Sequence, residues 1–172
     1  FEVARASGGA PHPGIALPRA LFGSERKNSA GIDLTNEDAL RALGTELARQ
    51  RVYNAAPLIA GSFVQSAWEE IRNPAQSADI VGQVQEASAS DVETGLLAAT
   101  AFAGEWNTSA NAKRAAILDR VADLFEDHCA ELMALAVREA GKSLPNAIAE
   151  IREAVDFLRY YGAQVKDAPH AD

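Results

Sequence analysis

Between residues 90 and 166, apolar side chains recur every three or four positions, and this spacing limits the fold more than any other feature. Ile117 and Val121 belong to one such stripe, and Ile151 and Val155 belong to another. The period is typical of amphipathic α-helices, each of which has a single side to bury. The sequence therefore predicts helices that either pack together as a small bundle or cover one face of a sheet.

Capping residues mark the ends of these helices. Ser90 and Glu93 have the spacing of a capping box, in which each side chain bonds to the backbone N–H of the other residue. A polar pair at 127–128 indicates a break or a bend, Gly141 is typical of a helix C-terminus, and Ser143 can cap the last helix.

The first fifty residues have a different character. Residues 1–34 are rich in glycine and proline, which predicts a linker or an arm that packs on something else. A helix is predicted over about 36–50, capped by Thr35. Glu37 and Asp38 lie in its first turn, where negative charge suits the helix dipole.

A β-hairpin is predicted over 63–87, after an irregular stretch at 52–62. One strand is expected from Phe63 to Arg72 and the other from Ile80 to Gln85. The residues from Asn73-Pro74 to Asp79 are polar and form turns readily, so they are expected to connect the two strands.

Charge and cysteine content exclude several classes of protein. The formal net charge is −8, which argues against a nucleic-acid-binding face. No apolar run approaches the ~20 residues that a membrane-spanning helix needs. The one cysteine, Cys129, excludes an internal disulfide and favours a reducing compartment, so we expect a cytoplasmic protein. The chain starts at Phe1 without a signal peptide, and we expect it to be a piece of a longer polypeptide.

The usual catalytic and cofactor motifs are missing. There is no G-x-G-x-x-G and no Walker loop to hold a nucleotide phosphate. His128 precedes Cys129, but adjacent positions on a helix diverge by about 100°, so an inert cysteine is expected. His12, His128 and His170 lack the spacing of metal ligands, and no metal site is predicted.

The last helix carries several polar side chains. Glu150, Glu153 and Asp156 lie on it, and these residues alone indicate a solvated face more than a site. Arg152 and Asp156 have the i, i+4 spacing of a weak surface ion pair. Tyr160-Tyr161 is interpreted as half-buried packing.

Longer strings in the chain resemble a known family. The run at 138–143 and the helix at 146–161 resemble the N-terminal helices of an aldehyde dehydrogenase domain. The strings at 12–18 and 28–34 are similar to the connector of the proline utilization A family of bifunctional proline catabolic enzymes. The resemblance covers about residues 12–167.

This resemblance implies an α/β parent fold with a Rossmann-type NAD-binding domain, in which this segment is mainly α-helical with one β-hairpin. Residues 1–62 would form the inter-domain connector with one helix. Residues 63–172 would be the N-terminal portion of the aldehyde dehydrogenase domain, with the hairpin at 63–87 and the helices at 90–166. The implied parent oxidises proline with FAD, and its second half oxidises L-glutamate γ-semialdehyde to glutamate with NAD. A homo-oligomer is also implied.

The same resemblance limits which residues can belong to a site. The family's cysteine nucleophile, general base and NAD-contacting loops lie further along the chain, so no catalytic, cofactor-binding or metal-ligating residue is predicted here. Glu153 matches a family glutamate that reaches toward the amino group of the substrate, and a carboxylate suits that cation. Two alternatives remain: another NAD(P)-dependent semialdehyde dehydrogenase, or a non-catalytic helical interaction module. The segment by itself is expected to be inactive.

Overall fold

A computed structural model describes Gly8, residues 10–167 and, within that range, every side chain except that of Asp167. The expectations for 1–7, Gly9 and 168–172, His170 among them, lie outside the described residues. Within the described residues, a short 3₁₀ turn at Pro18–Ala20 precedes five helices and five strands. The helices are α1 (Glu37–Leu47), α2 (Ala89–Thr108), α3 (Asn111–Asp127), α4 (Cys129–Ala140) and α5 (Leu144–Asp167). The strands are β1 (Tyr53–Ala55), β2 (Leu58–Ile59), β3 (Ser62–Phe63), β4 (Trp68–Asn73) and β5 (Gln76–Gln85).

One compact unit comprises residues 32–110 and 128–151. Its three-stranded sheet has the order β1-β5-β4, with β4 antiparallel and β1 parallel to β5. Helix α4 contacts β4 and β5, and α1 contacts α4. Val81 of β5 and Met133 of α4 are fully buried and belong to the core of this unit.

The parallel pairing of β1 and β5 depends on a glycine. Tyr53 is paired with Gly82, and a Cβ atom at position 82 would lie 2.0 Å from the Tyr53 carbonyl oxygen. Two backbones can approach this closely only where no side chain intervenes.

A buried ion pair ties α4 to the hairpin in the same unit. The Arg138 guanidinium donates to both carboxylate oxygens of Asp79, with Nη2 2.7 Å from Oδ1 and Nε 3.1 Å from Oδ2. Arg138 also donates to the carbonyl oxygens of Arg51 and Ile80. Hydrogen bonds from Arg138 and Asn73 lower the pKa of Asp79 to about 2.

The second unit comprises the residues described before Ile32, together with 111–127 and 152–167. Helix α3 lies against the later turns of α5, and a Cβ atom at Gly162 would be 3.3 Å from Asp119 Oδ1. Ala115, Ala122 and Val155 are buried in this unit.

Two helix caps differ from the sequence prediction. Asn36, not Thr35, caps α1, because its Oδ1 accepts from the backbone N–H groups of Asp38 and Ala39 at 3.0 and 3.1 Å. Thr35 instead donates to Asp33. The capping box of α2 is Ser88 with Asp91, two residues before the predicted pair, and α2 therefore begins at Ala89.

The hairpin is also tighter than predicted. Strands β4 and β5 are joined by the two-residue turn at 74–75, so the second strand starts at Gln76 rather than at Ile80. The first strand starts at Trp68 rather than at Phe63, which belongs to β3. The stretch at 52–62 is not irregular, because it contains β1, β2 and part of β3. The break at 127–128 is confirmed, as is the end of α4 at Gly141, which has the left-handed φ of 63°.

Helix α2 is apolar but exposed. It has no buried residue, and Leu96 and Leu97 are 64% and 73% exposed. In the part of the chain that the structure describes, no helix is both long and apolar enough to cross a membrane.

Candidate functional site

The later turns of α5 present one polar and aromatic face to solvent. Glu153, Phe157, Tyr160 and Tyr161 are all exposed, whereas Val155 on the opposite side of the helix is buried. Tyr160 and Tyr161 are 41% and 55% exposed, which agrees with the interpretation of this pair as half-buried packing. The four residues are named here the α5 face.

The aromatic rings of the α5 face contact one another. The Phe157 and Tyr161 rings are stacked with centroids 6.1 Å apart, and Tyr160 meets Tyr161 edge-on at 5.2 Å. The Arg26 guanidinium lies 5.8 Å from the Tyr160 centroid and 3.7 Å from that of Phe22. A cation is therefore already held at one end of this aromatic surface.

The carboxylates of α5 differ in their partners. Glu150 is 2.6 Å from Lys142 Nζ, and Asp156 accepts from Ser29. Glu153 has no hydrogen-bond or ion-pair partner among the described residues, and its side chain is exposed. Glu153 is thus the carboxylate on the described part of α5 that is available to a ligand.

Ser29 occupies both oxygens of Asp156. Its backbone N–H donates to Oδ1 over 2.7 Å, and its hydroxyl donates to Oδ2 over 2.8 Å. Arg152 Nε donates to the same hydroxyl over 3.2 Å. The sequence suggested a direct Arg152–Asp156 ion pair, but both residues bind buried Ser29 instead, because its hydroxyl can donate and accept at once.

A second carboxylate, Glu126 on α3, holds the neighbouring residue Ala30 in the predicted connector. It accepts from the Ala30 N–H over 2.8 Å and pairs with Arg159 and Arg19 at 2.7 and 3.0 Å. Burial raises the pKa of Glu126, but the donors from Arg159 and Ala30 outweigh it and bring the pKa down to about 2. The segment at 28–31 is therefore fixed against α3 and α5 by charged acceptors.

The histidine and cysteine side chains considered as nucleophile or metal ligand have other contacts in the structure. His128 Nδ1 lies 3.3 Å from Glu131 Oε2, and the Cys129 sulfur lies 3.9 Å from that of Met133. Among the described residues, no cluster of three histidine, cysteine or acidic side chains could hold a metal ion.

The junction between β5 and α2 does not fit the pyrophosphate group of a dinucleotide. The strand-to-helix junction between β5 and α2 has no glycine-rich turn, and the Asp91 carboxylate occupies the start of α2. A pyrophosphate needs free N–H groups and positive potential at such a helix start. The residues described here therefore provide no dinucleotide cradle at this junction.

Two site residues were missed by sequence reasoning. Phe157 lies one turn after Glu153 and opposite the buried stripe, so the helical period alone could have placed it on the exposed face. Ser29 lies inside the string at 28–34, but nothing local indicates that it binds Asp156.

Comparison with known proteins identifies the relatives of this chain. Residues 63–171 match the aldehyde dehydrogenase family. "Bifunctional protein PutA" of Klebsiella aerogenes is 47% identical over 161 residues, which cover 92% of this chain and 12% of that protein. The structure of proline utilization A from Bdellovibrio bacteriovorus has a TM-score of 0.77 and 27% identity, over 92% of this chain and 16% of the other. 1-Pyrroline-5-carboxylate dehydrogenase from Thermus with bound NAD has a TM-score of 0.73 and 28% identity, over 79% of this chain and 27% of the other.

These matches confirm the resemblance seen in the sequence and the expected fold class. The match to the Klebsiella protein is longer than the segment at 63–171, so it includes part of the predicted connector. The chain spans only 12% of the length of that relative.

Proposed function

The chain belongs to the aldehyde dehydrogenase family, and we propose that it is a segment of a bifunctional proline catabolic enzyme. The dehydrogenase half that begins in this segment oxidises L-glutamate γ-semialdehyde to L-glutamate. The similarity to "Bifunctional protein PutA" over 92% of the chain supports this proposal, as does the similarity to 1-pyrroline-5-carboxylate dehydrogenase.

The observation that carries the proposal is the exposed, unpaired carboxylate of Glu153 beside aromatic rings. L-Glutamate γ-semialdehyde carries an ammonium group, for which a carboxylate supplies a charge-assisted hydrogen bond. Phe157 and Tyr160 lie on the same exposed face, where aromatic rings attract cations. Glu153 is therefore proposed to bind the substrate by its amino group and to select amino aldehydes.

The parent enzyme uses two cofactors in this proposal. FAD serves the proline-oxidising half, and NAD accepts the two electrons removed from the aldehyde. The described residues do not supply a nucleophile–base pair or a dinucleotide cradle, so we assign these functions to other parts of the polypeptide. The 172-residue segment alone is then proposed to be inactive.

The remainder of the parent polypeptide is the proposed partner of α2. Leu96 and Leu97 of this helix are largely exposed, and burial of such side chains against another part of the enzyme would be favourable. A homo-oligomer and a cytoplasmic location are also proposed. The single cysteine supports the location, since it suits a reducing compartment.

The test uses the full-length parent enzyme with two aldehydes. Glu153→Gln and Glu153→Ala are expected to raise KM for L-glutamate γ-semialdehyde about tenfold to hundredfold, the worth of a hydrogen bond to a charged group. The KM for 5-oxopentanoate, which has the same carbon chain without the amino group, should stay within about twofold of the wild-type value.

Glu150→Gln is the matched control, since it removes a carboxylate of the same helix that is already paired with Lys142. It should leave both KM values unchanged. If Glu153→Ala leaves the KM for the amino aldehyde unchanged, Glu153 is not part of the substrate site.

A further inference from the structure

Asp156 is a second carboxylate close to the proposed substrate contact. It lies three positions after Glu153 on α5, and helical residues at this spacing are neighbours on the surface, with Cβ atoms about 5–6 Å apart. A substrate ammonium that meets Glu153 is therefore also near Asp156. If Glu153 and Asp156 were both unpaired, the substrate ammonium could bind either carboxylate.

Ser29 removes this competition in the structure. Its N–H and its hydroxyl donate to the two different oxygens of Asp156, at 2.7 and 2.8 Å. Arg152, directly before Glu153, donates to the same hydroxyl and adds positive charge near Asp156. Ser29 is itself buried, so water does not readily replace it.

We propose that Ser29 is a positioning residue, which holds Asp156 through both carboxylate oxygens so that the ammonium group of the substrate binds Glu153 alone. This inference rests on the proposed function, because it needs Glu153 as the amino contact. It adds a residue of the connector to the determinants of substrate selection in the dehydrogenase half.

Removal of the Ser29 hydroxyl has a specific chemical consequence. Ser29→Ala keeps the backbone hydrogen bond to Oδ1 but releases Oδ2 and the donor of Arg152. The released oxygen then competes for the ammonium and draws it away from the position set by Glu153. A misplaced ammonium weakens productive binding of amino aldehydes, while an aldehyde without an amino group is unaffected.

The test measures steady-state kinetics of the full-length enzyme with L-glutamate γ-semialdehyde and 5-oxopentanoate. Ser29→Ala is expected to raise KM for the amino aldehyde about threefold to tenfold, with little change in kcat and with no change for 5-oxopentanoate. Adding Asp156→Asn should restore KM to within about twofold of wild type, because the released side chain then has no charge. A purely structural role of Ser29 predicts further loss in the double variant.

Arg19→Ala is the matched control for docking of the connector. Arg19 binds Glu126 and has no contact with Asp156, so its loss loosens the connector without freeing the competing oxygen. The inference is wrong if Arg19→Ala gives the same amino-selective effect, or if Ser29→Ala affects both aldehydes equally.

The outcomes also separate this inference from the proposed function. If Glu153→Gln is amino-selective and Ser29→Ala has no effect, the proposed function stands and the role of Ser29 is refuted. If Glu153→Gln shows no amino selectivity, the role of Glu153 fails, and the role of Ser29 fails with it.

Discussion

Arg159 donates a hydrogen bond to Glu126 over 2.7 Å, and the same carboxylate accepts the backbone N–H of Ala30 over 2.8 Å. Arg159 is buried, with its side chain only 7% exposed, and Glu126 is 17% exposed. A buried cation on α5 thereby fixes the carboxylate that holds Ala30 of the predicted connector. The arm predicted for residues 1–34 is, at this point, a segment docked through charge-assisted hydrogen bonds.

Glu126→Gln should loosen the segment at 28–31. Glutamine keeps one acceptor oxygen but loses the charge, so the hydrogen bonds from Ala30 and Arg159 weaken. The free energy of local opening is expected to fall by about 1–3 kcal/mol. Hydrogen exchange of the amides at 28–31, measured by mass spectrometry in the full-length enzyme, checks this expectation.

Asp123→Asn is the control for that variant. Asp123 also accepts from Arg159, but its side chain is 58% exposed, and exposed pairs contribute about 1 kcal/mol or less. Equal effects of the two variants would show that Glu126 has no special part in holding the connector.

Acid should release the same segment. The pKa of Glu126 is about 2 in the folded chain, against an ordinary value of 4.5, so the carboxylate is stabilised in its ionised form. This contribution is complete above pH 4.5 and is lost as the pH falls toward 2, because protonation then removes the negative charge of the acceptor. Exchange protection of the Ala30 amide, corrected for intrinsic rates, is expected to fall over that range.

Glu126→Gln has no group that titrates at this position. Its protection at Ala30 should be lower at neutral pH and should change less between pH 5 and pH 2 than in the wild type. An equally steep decline in the variant would assign the acid sensitivity to other carboxylates.

Arg138→Met should destabilise the β4–β5 hairpin, because the Asp79 carboxylate would lose the partner that holds both of its oxygens. An unpaired charge in a largely buried place is strongly unfavourable. We expect exchange of the amides at 76–85 to rise about tenfold or more in the full-length enzyme.

Arg72→Met is the matched control on the same hairpin. Arg72 pairs with Glu70 and donates to the carbonyl oxygen of Ser77, but the Arg72 and Glu70 side chains are close to half exposed, so the loss of these contacts should change the exchange rates less. Similar effects of the two variants would contradict a special role of the buried pair.

The sequence was most informative where the determinants are local. The helix end at Gly141 and the interruption at 127–128 were predicted correctly because each depends on a few consecutive residues. The caps at Asn36 and Ser88 were missed by one and two residues. Several capping residues stand side by side there, and local preference does not decide between them.

The parts that could not be predicted depend on distant residues. Strand β1 has only three residues, and it exists because Tyr53 pairs with Gly82 in another part of the chain. Ser29 and Asp156 are 127 positions apart, so no periodicity connects them. Glu153 itself was predicted from family resemblance, since the residue pattern alone indicated a solvated face.

Gly82→Ala should disrupt the pairing of β1 with β5. The added Cβ atom would lie 2.0 Å from the backbone oxygen of Tyr53, and backbone cannot move aside as a flexible side chain does. Amides at 53–55 are therefore expected to lose their exchange protection in the full-length enzyme.

Gly44→Ala, in the middle of α1, is the matched control, because no atom lies within 4 Å of its Cβ position. Alanine favours a helix over glycine by about 0.5–1 kcal/mol, so this control should be neutral or slightly stabilising. Retained protection at 53–55 in Gly82→Ala would mean that β1 does not need the close backbone approach at Gly82.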